Sequence, residues 1–177
     1  MKKLHHEEIP RLTLSETKKA DRYPISILLE NIRSAHNVGS VLRTADAIRA
    51  QEVILAGVTA PGDHRGVHKS ALGAQDAVPW RCCDDPLQEI KQARNLGFTI
   101  IALEITDDPV DLSTVSKDIF PILLLIGNEV TGVSDALLSE CDFAIELPQY
   151  GMKQSLNVSV AAGIALYDLL RLYLGPG

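Results

Sequence analysis

Five short, nearly continuous apolar runs constrain this chain more than any other feature: Ile25 to Leu29, Val53 to Ala56, Phe98 to Leu103, Ile122 to Ile126 and Phe143 to Leu147. A strand with one wet face alternates apolar and polar residues. These runs do not alternate, so they read as strands buried on both faces. A further strand is expected near Val78 to Cys82. Between the runs the apolar period changes. Residues 37–49 place Val38, Val41, Leu42, Ala45 and Ile48 at helical spacing, and residues 86–96 do the same with Leu87, Ile90, Ala93 and Leu96. Pro86 suits the first turn of that second helix and Gly97 its end. Ser134 to Cys141 reads as a short helix capped by Ser134. Residues 58–76 read as a long loop with at most a short helical turn, and residues 106–118 as an acidic loop. Strands that alternate with helices predict an α/β fold: a mostly parallel sheet covered by helices on both faces.

The last helix, residues 155–174, carries Leu156, Val158, Val160, Ala161, Ala162, Ile164, Ala165, Leu166, Leu169, Leu170 and Leu172. It has almost no polar face, and a helix apolar on most sides is buried on most sides. In a chain of 177 residues the expected extra cover is a second copy. The length fits one domain, placed at residues 23–177. Residues 1–22 read as an arm, with His5, His6, Glu7, Glu8, Lys18 and Lys19 and few apolar anchors.

With 46% hydrophobic and 23% charged residues, the composition excludes a disordered chain. Three cysteines, two of them the adjacent Cys82 and Cys83, do not make a disulfide scaffold and point to a reducing, cytoplasmic setting. No apolar run approaches the roughly 20 residues of a membrane span, and the arm has no secretory apolar stretch. The formal net charge of -6 argues mildly against a nucleic-acid partner, although a local basic patch can sit on an acidic protein.

Several familiar chemistries lack their signatures. There is no Gly-x-Gly-x-x-Gly after the first strand, no Walker A sequence and no Gly-x-Ser-x-Gly elbow. There is no His-Glu-x-x-His or Cys-x-x-Cys, so no metal is expected. Asn157-Val158-Ser159 matches a glycosylation sequon but opens an apolar helix, and the match reads as accidental.

Three polar clusters instead fall where strands give way to turns or helices, the usual place for a ligand in an open α/β sheet. The first is Asn37-x-Gly39-x-x-x-Arg43-Thr44-Ala45, with Asn37 as a candidate helix cap and Gly39 allowing close backbone approach. The second is Gly127-Asn128-Glu129-x-x-Gly132, a carboxylate between two glycines. The third is Ser155-Leu156-Asn157-Val158-Ser159, after Leu147-Pro148 and a glycine-containing loop. Each alone could be a turn, a cap or a surface group.

Together and in this order, the clusters resemble the three motifs of the SpoU/TrmH family of SPOUT-class RNA methyltransferases, over about residues 25–174. The resemblance implies a C-terminal deep trefoil knot, a homodimer and S-adenosylmethionine as cofactor. It implies transfer of a methyl group to a ribose 2′-hydroxyl of tRNA or rRNA. By position, Leu103, Gly127, Leu147 and Leu156 would line the cofactor. Arg43 would be the essential catalytic group, with Asn37, Glu129, Ser155 and Asn157 fixing the geometry around it. Arg33, Arg43, His64, Arg65, His68, Lys69 and Lys153 would supply a local phosphate-binding surface. The alternative is a non-catalytic RNA-binding dimer of the same fold.

Overall fold

The structure is a computed structural model that describes residues 1–5 and 8–175, so His6 and Glu7 of the arm lie outside the described residues. After a short helix α1 (Leu14–Lys19), the chain runs β1 (Tyr23–Glu30), α2 (Ala35–Ala47), β2 (Ala50–Ala56), α3 (Arg65–Ala71), α4 (Ala74–Ala77) and β3 (Trp80–Cys83). It continues with α5 (Pro86–Asn95), β4 (Thr99–Leu103), β5 (Ile122–Ile126), α6 (Asp135–Leu138), β6 (Phe143–Ile145) and α7 (Val158–Leu174). The six strands form one sheet in the order β3-β2-β1-β5-β4-β6, every pair parallel. All strands therefore end on the same edge. β5 lies between β1 and β4, both made earlier in the sequence, with Ile27 and Ile101 on either side of Leu124.

Burial on both faces explains the apolar runs. Ile25, Ile27 and Leu29 point into a core shared with Val38, Leu42 and Ala45 of α2 and Ala162, Leu166 and Leu169 of α7. Leu28, Leu123 and Leu125 point the other way, onto Ile90 of α5 and Leu137 of α6. Each of these side chains is at least 99% buried. At roughly 1.5–3 kcal/mol for each fully buried large aliphatic side chain, the two layers supply most of the driving force for folding.

Four expectations change. Residues 58–76 are not mainly loop but hold α3 and most of α4. His64 Nδ1 accepts from the Gly66 amide to start α3, and Leu72 in the left-handed region (φ 51°) ends it. Val67 and Ala71 are buried against α2, where Gly39 leaves no Cβ to strike Ser70. Second, Ser34, not Asn37, caps α2; the Asn37 amide donates to Ser34 Oγ at 3.4 Å. Third, α6 is a single turn, and Ser134 at its cap makes no side-chain cap bond; its amide donates to Glu30 instead. Fourth, α7 begins at Val158 and not at residue 155, capped by Asn157 through the Ser159 amide at 3.0 Å.

In the arm, α1 buries no residue, and Leu4, Ile9, Leu12 and Leu14 are exposed. Arg22 ends the arm, donating to the carbonyls of Ala50 and Ala77. Among the described residues no helix is long and apolar enough to cross a membrane, and no group of His, Cys, Asp or Glu is placed to hold a metal.

Candidate active site

A cleft of about 390 Å³ opens at the carboxyl ends of β4, β5 and β6, where parallel sheets commonly place a ligand. Three loops line it. The first follows β4 with Leu103, Glu104 and Ile105. The second follows β5 with Gly127, Asn128, Glu129, Val130 and Gly132, and the third leads from β6 to α7 with Glu146, Leu147, Ser155, Leu156 and Asn157.

The second loop is folded tightly back on itself. Asn128 and Gly132 exchange both backbone hydrogen bonds, at 3.0 and 2.9 Å. The Asn128 side chain braces the turn, accepting from the Val130 amide and donating to the Asn31 carbonyl at 2.7 Å. Any Cβ at Gly127 would collide with the backbone of Gly132 and Val133, and one at Gly132 (φ 70°) would collide with the Glu104 carboxylate. Both motif glycines are therefore demanded by close approach, the second also by backbone conformation. Glu104 holds this loop to the end of β4, accepting from the Ile105 amide at 2.9 Å and the Val133 amide at 2.8 Å.

Glu129 faces the start of α2. Its carboxylate accepts from the amides of Arg33 (3.0 Å) and Ser34 (3.1 Å) and from Asn37 Nδ2 (2.9 Å). Partial burial pushes this carboxyl up. The hydrogen bonds from the Arg33 amide, the Asn37 side chain and the Ser34 amide outweigh that effect and leave it below the ordinary glutamate value. Asn37 Oδ1 accepts from Asn157 Nδ2 at 3.3 Å. One chain of polar contacts thus joins all three sequence clusters.

The structure gathers most of the residues singled out in the sequence. Leu103, Gly127, Leu147 and Leu156 all line the cleft, with Glu129, Ser155 and Asn157 beside them. Asn37 reaches its rim through Glu129. Arg43 does not join them: it is exposed on α2, outside the cleft of its own chain, without a described hydrogen-bond or ion-pair partner. Arg33, His64, Arg65, His68, Lys69 and Lys153 are likewise exposed. Glu104 and Asn128 were not singled out for a role. A carboxylate directly after a buried strand is the available signal for Glu104.

This combination defines a ligand-binding α/β protein with its site at one end of a parallel sheet, built from the last three strands. A model of the SpoU rRNA methylase family matches residues 24–167, and the chain belongs to that family. A tRNA (guanosine(18)-2′-O)-methyltransferase of Thermus thermophilus is 32% identical over 170 residues, covering 96% of this chain and 86% of the relative. An uncharacterized tRNA/rRNA methyltransferase of Archaeoglobus fulgidus is 36% identical over 145 residues, covering 82% of this chain but 63% of the relative. The solved structure of an AdoMet-bound rRNA methyltransferase from Sinorhizobium meliloti superimposes with a TM-score of 0.79 at 28% identity, over 90% of this chain and 61% of that one. The chain thus spans less than two thirds of two of these three proteins.

Proposed function

We propose that the protein is an S-adenosylmethionine-dependent RNA methyltransferase acting on a ribose 2′-hydroxyl of tRNA or rRNA. The observation that carries this reading is the contact chain Glu129–Asn37–Asn157, which joins the three motifs at the rim of the cleft. The near full-length match to the Thermus enzyme favours tRNA. Residues 23–177 form the methyltransferase domain and residues 1–22 an arm, and the C-terminal loops form the trefoil knot of the family. The cysteines, free in the structure, suit a reducing cytoplasm.

The cleft suits the cofactor chemically. Its leucines offer adenine an apolar slot, and among the described residues its charged lining is entirely acidic, which complements a ligand carrying sulfonium and ammonium groups. Leu103, Leu147 and Leu156 would hold the adenosyl part, with the Gly127 backbone closing the floor. The bound cofactor supplies an electrophilic methyl group. Glu129, Ser155, Asn37 and Asn157 position the incoming ribose at the rim. An alcohol is a weak nucleophile, and its proton must leave as attack proceeds, here to water at the open rim of the cleft. A guanidinium stays charged, so Arg43 serves by gripping the adjoining phosphate and stabilising the developing alkoxide, not by accepting the proton.

That role needs Arg43 near a cleft, and a second copy provides one. Val160, Ile164 and Tyr167 form an exposed apolar stripe along α7, between 42 and 50% accessible. Thr44, the neighbour of Arg43, shares a shallow groove with those three residues. A homodimer packed through this stripe buries it and draws Arg43 into the interface. The exposed Arg33, His64, Arg65, His68, Lys69 and Lys153 supply phosphate contacts despite the net charge of -6. Label from methyl-labelled S-adenosylmethionine should enter tRNA or rRNA with the native protein and not with Arg43→Ala. A native protein that binds RNA without transferring label would be the non-catalytic dimer instead.

A further inference from the structure

Among the described residues, three carboxylates line the cleft, those of Glu104, Glu129 and Glu146, and no lysine, arginine or histidine does. Two are already engaged by the protein: Glu104 by the amides of Ile105 and Val133, Glu129 by two amides and Asn37. Glu146 differs. It is partly buried at the position directly after β6, and no described residue donates to its carboxylate. A partly buried carboxylate without donors is costly unless a ligand supplies them. Glu104 stands next to it, since the Glu104 amide donates to the Ile145 carbonyl at 3.1 Å.

The position also indicates which donors are in reach. Leu103 and Leu147, the immediate neighbours of the two glutamates, belong to the apolar slot suited to adenine. The reacting methyl group must face the other end of the site, where Glu129, Asn37 and Asn157 meet. The adenosyl ribose lies between adenine and sulfur in covalent order. A carboxylate adjoining the adenine slot therefore meets that sugar before it meets the amino-acid tail.

Resting on the placement of the cofactor in this cleft, we infer that Glu146 accepts hydrogen bonds from the 2′- and 3′-hydroxyls of the cofactor ribose. Two vicinal hydroxyls match the two oxygens of one carboxylate. The same charge turns away adenosine compounds whose ribose carries a phosphate. Glu146 is thus a specificity residue that selects a free diol.

The test is a binding cycle by calorimetry on the full chain, using S-adenosylhomocysteine and its 2′,3′-dideoxy counterpart against native protein, Glu146→Ala and the isosteric Glu146→Gln. Removing the hydroxyls should weaken binding to native protein by about tenfold or more, the scale of a hydrogen bond to a charged group. It should cost Glu146→Ala little further, and Glu146→Gln an intermediate amount. An equal loss in native and variant proteins would overturn the inference, as would unchanged affinity of Glu146→Ala for S-adenosylhomocysteine. Native protein that binds neither S-adenosylmethionine nor S-adenosylhomocysteine would refute the cofactor site itself, a separate result.

Discussion

Asn37 bridges two loops that are 28 residues apart in sequence: its Nδ2 donates to Glu129 at 2.9 Å, and its Oδ1 accepts from Asn157 Nδ2 at 3.3 Å. A side-chain amide does both from two separate atoms, offering a donor to a carboxylate and an acceptor to another amide. Asn37→Ala should lower turnover by about tenfold to a hundredfold with little change in melting temperature, because the lost contacts are at the rim and not in the core. Asn37→Asp should be worse, since it faces the Glu129 carboxylate with a second one. Single-turnover methylation beside thermal unfolding separates the two effects; Asn37→Asp at native rates would contradict the bridge.

The same contacts set a pH dependence. The Glu129 carboxyl titrates below its unfolded value because hydrogen bonds to the ionised form outweigh its partial burial. Its contribution to stability is therefore complete above the unfolded pKa, about 4.3, and is lost as pH falls through the lower folded value. No Glu129 titration should be seen between about pH 5 and 9. Carbon-13 NMR of the glutamate carboxyls, assigned with Glu129→Gln, should give a midpoint below that of a free glutamate. A midpoint above it would contradict the geometry.

Gly127 tolerates no Cβ, because the space is taken by the backbone of Gly132 and Val133. Even Gly127→Ala should push the second loop out of place and weaken S-adenosylmethionine binding strongly, with a stability cost of about 1–3 kcal/mol from overpacking. Gly127→Leu should abolish binding. Unchanged affinity in calorimetry for either variant would put the pocket elsewhere.

The strands were legible because burial on both faces leaves a plain mark, an apolar run without alternation, and each of the five runs became a strand. Their spatial order was not legible: nothing in Ile122 to Ile126 says that it slips between β1 and β4. α3 was hidden because it is capped by His64, an uncommon cap, and stopped by Leu72 in a left-handed conformation with no glycine at that position to announce it. Within the site, the residue types of the three clusters were visible and their partners were not. Asn37 looked like a helix cap because asparagine often is one. Ser34 takes that task and frees Asn37 for Glu129. Glu104 and Glu146 sit at strand ends among apolar residues, a position that carries meaning only once the three loops are seen to converge.

The exposed stripe of Val160, Ile164 and Tyr167 should be covered by a second copy. Light scattering should report a dimer at micromolar concentration, and Ile164→Asp should shift it toward monomer. The same variant should lose methyl transfer, since Arg43 would no longer be held in an interface. A native monomer, or a fully active Ile164→Asp monomer, would contradict the arrangement.

Arg43→Ala should lose methyl transfer while keeping cofactor affinity, because Arg43 lies outside the cleft. Arg43→Lys should also fall, by about a hundredfold, since lysine keeps the charge without the planar fork that grips phosphate. Turnover near native in the lysine variant would reduce the role of Arg43 to a point charge.

The most direct test of the whole account is the location of the transferred methyl group. RNA labelled by the native protein from methyl-labelled S-adenosylmethionine should be digested with alkali, which cleaves next to a free 2′-hydroxyl and spares a methylated one. The label should appear in alkali-resistant dinucleotides. Label released in single nucleotides, with the methyl group on the base, would contradict ribose methylation.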